Sequence, residues 1–421
     1  MSRPVPGQPY TVTEVDRDKG LTGISERAYG DGTKWRRIFD ANRSRLKSDD
    51  PNLIFPGEII IIPVLAEINA IKKGLREDAL SRRDPNTVFL EIEGETVPVD
   101  EINIQTFLDT GADTFSASVA WPLDDEKITR LFKAYSYRNF ELFIGDNLVM
   151  TGVIYKITNS LQGGRRKRFT GFSLTKDMVD STINPPYEEK DVTLKKRVEN
   201  IAKAFGVDVQ YDLPSDSQFK KVTAEPEQGA FDHVQELAKQ RGGLVSSTPQ
   251  GKVWVTQTTN GRPVGTLTEG VDFVGEFSIE FDGTQRFNGN TAKGQSPGRN
   301  AKVATAKDDV VKRARFKTFS VDDTTEGDIQ KAAEWRRSKN AADATSSTLP
   351  VTSWYAPNGK LWEKNTLVTI ESGTMECPNG FTFLIKSVSF TLAGTSKSAE
   401  LGIVVPSSYT GKQVEEPWLE V

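Results

Sequence analysis

The chain has 421 residues, 36% of them hydrophobic and 27% charged, with a formal net charge of −4. That composition describes a globular protein of about three domains at ~150 residues each. The mild acidity excludes a protein built to grip a phosphate backbone. One cysteine, Cys377, excludes an internal disulfide. One histidine, His233, excludes a zinc site with several histidine ligands and leaves a Ser-His-Asp or Cys-His site a single candidate base. The N-terminus, Met1–Gly7, lacks the apolar core of a signal peptide, and no apolar run approaches ~18 residues, so no membrane span is expected.

Taken in chain order, Tyr10–Thr13 and Glu58–Pro63 read as short strands. Between them Leu21, Ile24 and Ala28, then Trp35, Ile38, Phe39, Asn42 and Leu46, recur at helical spacing. Gly30-Asp31-Gly32 is the turn between the two helices, which makes β-α-α-β. Glu14–Lys19 reads as a charged insertion in the first loop. Residues 64–85 carry an apolar stripe, Leu65, Ile68, Ile71 and Leu75, among many charges, and read as a helix ended by Asp84-Pro85. A solvated connector and a basic partner-binding helix both fit that pattern.

From Val88 the texture is β. The predicted strands are Val88–Ile92, Val97–Gln105, Asp113–Trp121, Phe140–Ile144, Leu148–Thr158 and Arg168–Leu174, with a short helix over Leu123–Phe132. Arg165–Arg168 crowns the last turn, where an acidic partner and plain solvation are both open readings. Thr193–Phe205 is an amphipathic helix ended by Gly206, and Val207–Val209 continues as a strand. A second helix, Phe231–Gln240, places His233 at the edge of its apolar face, which reads as a flanking or surface histidine. Leu244–Ser247 and Val253–Thr256 form a hairpin. Strands resume at Phe277–Phe281. Gly289–Asn300 is polar and glycine-rich and reads as a loop, and its Lys293-Gly294 order is wrong for a phosphate loop. Ile329–Ala344 reads as a helix, and Val351–Tyr355, Leu367–Glu371, Phe381–Val388 and Ala399–Val404 as strands. The tail, Ser407–Val421, reads as extended. Trp354, Trp362 and Trp418 suit either a core or a partner-facing surface.

Phe140–Leu174 and Leu367–Val404 echo one another. Each runs strand, aliphatic strand (Val153, Ile154 and Ile157; Leu384, Ile385 and Val388), Gly turn, alternating strand. The period is too long for a solenoid and points to a duplicated β-domain around an α+β domain.

The first segment resembles the LysM family. The matching residues are Tyr10-Thr11-Val12, Ile24, Ala28-Tyr29-Gly30, Trp35, Ile38-Phe39, Ala41-Asn42, Pro51–Gly57, Ile61 and Pro63. LysM modules bind glycans that contain N-acetylglucosamine, in a groove between two loops. The resemblance places Asp18, Gly20 and Leu21, beside Lys19, in one loop and Asn52, Leu53 and Ile54 in the other. Glycan binding and a purely structural module are both open.

The rest resembles the baseplate hub proteins of contractile-tailed phages, of the Mu type. It rests on Gly171–Ser181, Phe205–Val209, Phe231–Ala238, Arg286-Phe287 with Gly294-Gln295, Trp354, Asn358-Gly359, Leu361-Trp362, Asn365–Val368, Leu384-Ile385, Val388 and Pro406–Tyr409, in that order. The resemblance implies a homotrimeric ring in which each copy supplies two similar β-domains. Six equivalent positions then meet a sixfold tail tube, a threefold face meets the central spike, and the ring surrounds the DNA channel. The implied partners are two further copies, the tail tube or tube-terminating protein, the spike, other baseplate or wedge proteins and the tape measure protein, with peptidoglycan added by the LysM-like segment. No specific nucleic-acid partner, membrane, cofactor, metal or catalytic residue is expected. The implied location is the virion baseplate, assembled in the host cytoplasm. A cell-wall glycan-binding protein or peptidoglycan hydrolase targeted by the LysM-like segment is the alternative.

The expected fold is α+β and β-rich. A βααβ LysM module is followed by two similar antiparallel β-barrel-like tube domains with a small α+β domain between them. The expected boundaries are an arm at 1–8, the LysM-like domain at 9–64, a linker helix at 65–86, the first β-domain at 87–184 and the α+β domain at 185–275. The second β-domain follows at 276–408, with a helical insertion around 326–346, and the tail is 409–421.

Overall fold

The computed structural model describes residues 4–5, 8–43, 45–48, 50, 53–62, 84–120, 126–161, 165–273, 277–294, 302–321 and 326–419. The linker helix expected at 65–86 falls almost wholly outside them, as does most of the N-terminal arm. The chain divides into two compact units, Met1–Asp84 and Pro85–Val421.

The first unit runs β1 (Pro9–Thr11), α1 (Glu14–Arg17), α2 (Gly20–Tyr29), a 3-10 turn, α3 (Trp35–Asn42) and β2 (Ile59–Ile61). β1 and β2 pair antiparallel, with Tyr10 opposite Ile60. The helical repeat puts Leu21, Ile24, Ile38 and Phe39 into one core with Tyr10, Val12, Ile54, Ile60 and Ile62. Gly30 ends α2 at φ +70°, and its N–H donates to the Glu26 carbonyl. Buried Asn42 donates from Nδ2 to the Ile38 and Ile61 carbonyls and accepts from the Ile61 N–H, each at 2.7 Å, which ties α3 to β2. The charged stretch Glu14–Lys19 holds α1, because the buried Asp16 carboxylate accepts from the Thr13 N–H and hydroxyl, the Tyr10 hydroxyl and Arg27.

The second unit begins with β3 (Val88–Ile92), β4 (Glu95–Pro98), β5 (Glu101–Phe107), β6 (Thr114–Ala120), α4 (Glu126–Leu131), β7 (Asn139–Ile144), β8 (Asn147–Ser160), β9 (Arg166–Ser173) and α5 (Lys176–Asp180). An α+β segment follows: β10 (Glu188–Thr193), α6 (Leu194–Ala204), β11 (Val209–Tyr211), β12 (Gln218–Thr223), α7 (Ala230–Gln240), β13 (Leu244–Ser247) and β14 (Val253–Thr256). The final part holds β15 (Thr266–Thr268), β16 (Ser278–Phe281), β17 (Gly289–Gly294), β18 (Val303–Lys307), β19 (Phe316–Val321), α8 (Glu326–Asp343), β20 (Thr345–Val351), β21 (Thr366–Glu371), β22 (Phe381–Ala393) and β23 (Ser396–Val404).

Among the described residues one thirteen-stranded sheet crosses the second unit, in the order β16-β20-β23-β22-β5-β6-β9-β8-β7-β3-β4, with β21 beside β22 and β15 beside β21. Its two halves repeat one pattern. β5-β6-β9-β8-β7-β3 has the same order as β16-β20-β23-β22-β21-β15. Every pairing within the two sets is antiparallel except β15 with β21. The long middle strands also bulge at the same place: β8 between Ile154 and Lys156 against β9, and β22 between Ile385 and Ser387 against β23. A bulge bends its strand and re-aims the residues beyond it. The stretches that echo in sequence, β7–β9 and β21–β23, stand in corresponding positions. The α+β segment has its own core around Val198, Phe219, Val234 and Val253, with α6 and α7 packed together.

Several expectations are corrected. Val97–Gln105 is two strands, because the chain leaves β3 after Pro98 and joins β22 from Glu101. Gly289–Gly294 is not a loop but the middle strand of a separate β18-β17-β19 sheet. Its small residues leave room for a helix, and a Cβ at Gly294 would stand 3.2 Å from Ile329 of α8. The strand expected at Val351–Tyr355 ends at Val351 and runs back to Thr345, where polar residues are paired on both sides by β16 and β23. The tail folds into 3-10 turns at Pro406–Tyr409 and Pro417–Leu419.

Close approach fixes two glycines in the first half of the sheet. A Cβ on Gly171 would lie 2.3 Å from the Phe115 ring, and one on Gly152 would lie 1.8 Å from the Phe172 carbonyl oxygen. Gly152→Ala should therefore part β8 from β9 and lower the urea-unfolding free energy by about 1–3 kcal/mol. Gly373→Ala, with open space around its Cβ, should leave it within about 0.5 kcal/mol.

Candidate functional site

β22 is longer than its own half of the sheet needs. Its first part pairs with β21, and its second part, Ser387–Ala393, pairs with β5 from the other half. Phe390 opposite Ile104 and Val388 opposite Thr106 carry the apolar core across this joint. Asn103 reinforces it from the polar face, donating to the Thr391 hydroxyl at 2.9 Å.

A buried polar cluster sits at the end of the joint. Asp113, just before β6, accepts from the Phe107 N–H at 2.9 Å, from the Ser247 hydroxyl at 2.7 Å and from Lys364 Nζ at 2.7 Å. The Asp113 N–H donates to the Ser173 hydroxyl at 3.1 Å. The Asp113 and Lys364 side chains are 3% and 8% exposed. One carboxylate thus ties the first half of the sheet, the α+β segment and the second half. Burial pushes the Lys364 pKa down, and the Asp113 charge opposes that. Ser246 adds a hydroxyl bond to the Phe107 carbonyl at 2.7 Å.

Two further ion pairs fasten α8. Lys339 reaches Asp109 at 3.1 Å, and the Tyr409 hydroxyl donates to the same carboxylate. Arg241, after α7, meets Asp328 of α8 at 2.9 Å, with both side chains under a tenth exposed.

His233 is not a surface histidine. It is 1% exposed on α7, and Arg197 of α6 donates from Nε to His233 Nε2 at 3.4 Å. Burial, helped by the Arg197 charge, lowers the imidazole pKa to about 4. At neutral pH the ring is an uncharged acceptor that helps hold α6 against α7. The strand after α6 was visible in the sequence, but this partnership was not, because Arg197 lies 36 residues away.

The other candidates fall in different places. Leu21 and Ile54 belong to the core of the first unit, and Gly20 is buried. Asp18 is exposed and Leu53 is 50% exposed, while Asn52 lies outside the described residues. Of the basic turn, Arg165 and Arg168 are exposed. Arg166 pairs with Asp100 and donates to the Ser118 hydroxyl, and buried Lys167 reaches the Phe132 carbonyl and Asn159 Oδ1. Trp354 and Trp362 are core residues whose indoles donate to the Ser398 and Ser353 carbonyls. Trp418 packs on Phe383 and Phe281, and Cys377 is buried. Among the described residues no helix is long and apolar enough to cross a membrane.

The comparisons set the class first. The chain is similar in fold to the prophage MuSo2 43 kDa tail protein from Shewanella oneidensis, with a TM-score of 0.66 and 22% identity over 77% of this chain and 99% of that one. It is also similar to the tail protein from Neisseria meningitidis MC58, with a TM-score of 0.67 and 20% identity over 78% and 98%. The fold is therefore that of phage tail proteins. In sequence, residues 175–257 match the family described as baseplate hub protein gp44-like, second domain. The chain is 24% identical over 257 residues to baseplate hub protein gp44 of Escherichia phage Mu, which spans 56% of this chain and 66% of that relative's length. Residues 175–257 thus match one domain of a baseplate hub family, and the fold resembles that of phage tail proteins.

Two outcomes are expected from the buried groups. Asp113→Asn strands the Lys364 ammonium and should cost about 3–5 kcal/mol in urea unfolding. Asp113→Asn with Lys364→Met should recover much of that loss, which a double-mutant cycle would measure. For His233 the folded pKa of about 4 lies below the ordinary value of 6.5. The unfolded chain then binds the proton first, so stability is full above pH ~6.5 and falls by about 3 kcal/mol as pH drops toward 4. His233→Gln, which keeps an acceptor for Arg197, should lose that part of the slope between pH ~6.5 and ~4.

Proposed function

We propose that this chain is the hub subunit of a phage tail baseplate. Three copies form a ring between the sixfold tail tube or its terminating protein and the threefold central spike, and the ring surrounds the DNA channel. The observation that carries this reading is the repeated strand order within the one sheet, matched down to the position of the bulge in β8 and β22.

The reason is geometric. A threefold ring meets a sixfold partner with equivalent contacts only if each subunit offers two near-equivalent surfaces. The repeated half-sheets supply them. The α+β segment occurs once in each chain, so in a ring it makes a threefold feature suited to the spike. The net charge of −4 suits a channel through which DNA slides without sticking. Other baseplate or wedge proteins and the tape measure protein are the further partners of this reading, with the virion baseplate as its location.

The test is the native mass of the full-length chain by light scattering across a concentration series. The expected outcome is a species of three times the 46.6 kDa chain mass. A monomer at every concentration would overturn the self-assembling ring.

A further inference from the structure

The repeated sheet contains one joint that is made and the two edges of a second that is not. In the made joint, β5 lies antiparallel to the distal part of β22, from Phe107 opposite Ser387 to Glu101 opposite Ala393. β8 is the counterpart of β22. Its proximal part pairs with β7 as far as Val153, and past the bulge Lys156–Asn159 pairs with β9 and, among the described residues, with no other strand. β16 is the counterpart of β5, because it pairs with β20 as β5 pairs with β6. Its other edge carries no strand among the described residues. Each half-sheet thus has one receiving edge and one inserting strand, and among the described residues one of each is used within the chain.

We propose that β16 of one copy adds antiparallel to the distal part of β8 of the next copy, which repeats the β5–β22 joint between chains. The inference rests on the ring proposed above and specifies its interface. It is heterologous, with an inserting strand on one side and a receiving edge on the other, as a closed ring requires.

The register is fixed by the pairings. Stepping across β9 and β23, Lys156 and Ile157 stand where Ser387 and Val388 stand. Stepping across β6 and β20, Phe281 and Asp282 stand where Thr106 and Phe107 stand. In the made joint Phe107 faces Ser387 and Thr106 faces Val388. Transferred to the second joint, Asp282 of one copy faces Lys156 of the next, and Phe281 faces Ile157.

The side chains suit that register, which backbone pairing alone dictates. Lys156 is exposed, and Asp282 is partly exposed with its carboxylate already accepting from Thr284 and Gln285, so the ammonium would join that carboxylate from the solvent side. Phe281 is 48% exposed and Ile157 half-buried, so an apolar pair would close over both. Opposite-charge and aromatic–aliphatic neighbours favour an antiparallel pair. A lone strand edge with an exposed aromatic is a hazard unless a partner covers it. At the far end of the sheet, β4 is blunted instead: it ends in Pro98, and Glu95 is engaged by Lys127 and Arg130. The second copy is the occupant because the chain's own β5 is already spent on β22.

The test is disulfide trapping in the full-length chain. Adjacent cross-strand pairs alternate between the two hydrogen-bonding classes, so Ile157→Cys with Phe281→Cys and Lys156→Cys with Asp282→Cys together present both geometries. Far-UV circular dichroism checks that each variant folds, and the unmodified chain, whose Cys377 is buried, is the control. With copper–phenanthroline as oxidant, at least one double variant should link into a ladder that ends at a closed trimer. A mixture of the two single variants of that pair should give linked dimers only, and each single variant alone should give none. A ring seen by light scattering with no cross-link at either pair would overturn this joint and leave the ring standing. A monomer with no cross-link would overturn the ring and the joint together.

Discussion

The pairing of β5 with the distal part of β22 is the constraint on which the rest of the second unit depends. It joins strands that lie hundreds of residues apart in the chain, with Asn103 bonded to Thr391. Closing so long a loop costs entropy, and a joint of seven residue pairs offsets it by carrying one apolar core across both halves. The bulge in β22 makes this possible. It divides one strand between two neighbours, so that a single thirteen-residue element belongs to both halves.

Polar groups then set the arrangement that apolar packing leaves free. Hydrophobic contact is non-directional. The Asp113 carboxylate is not, because it is satisfied only when Phe107, Ser247 and Lys364 arrive together. A buried ion pair adds little net stability, but an incomplete one is costly, so such a cluster penalises every misdocked arrangement of the three parts. Arg241 with Asp328, and Lys339 with Asp109, play the same part around α8. Buried polar links thus tie the parts together in a chain whose single cysteine rules out an internal disulfide.

The legible features were those with local periodicity. The β13–β14 hairpin, α6 and α7 were readable from alternation, helical spacing and the glycines just beyond the helices. Two of the misread segments lacked an apolar pattern. β17 is built of small and polar residues because α8 lies close against it, and β20 forms despite its polar residues because its neighbours pair its backbone on both sides. His233 looked marginal because its partner comes from another helix. Among the glycan candidates, loop position alone did not show that Leu21 and Ile54 point into the core. The Asp113–Lys364 link left no sequence signal, since an aspartate and a lysine 251 residues apart resemble any other pair.

The sequence by itself determined the local elements, the internal echo of β7–β9 in β21–β23 and the exclusion of disulfide and multi-histidine zinc chemistry. These depend on side-chain periods and residue counts, which need no knowledge of neighbours. Only the tertiary structure decided that both half-sheets join in one, which edges are spent and which stay open, and which charges are buried together. Those outcomes depend on strand register, and register is set by contacts between residues far apart in the chain, where a shift of one residue turns every side chain to the opposite face.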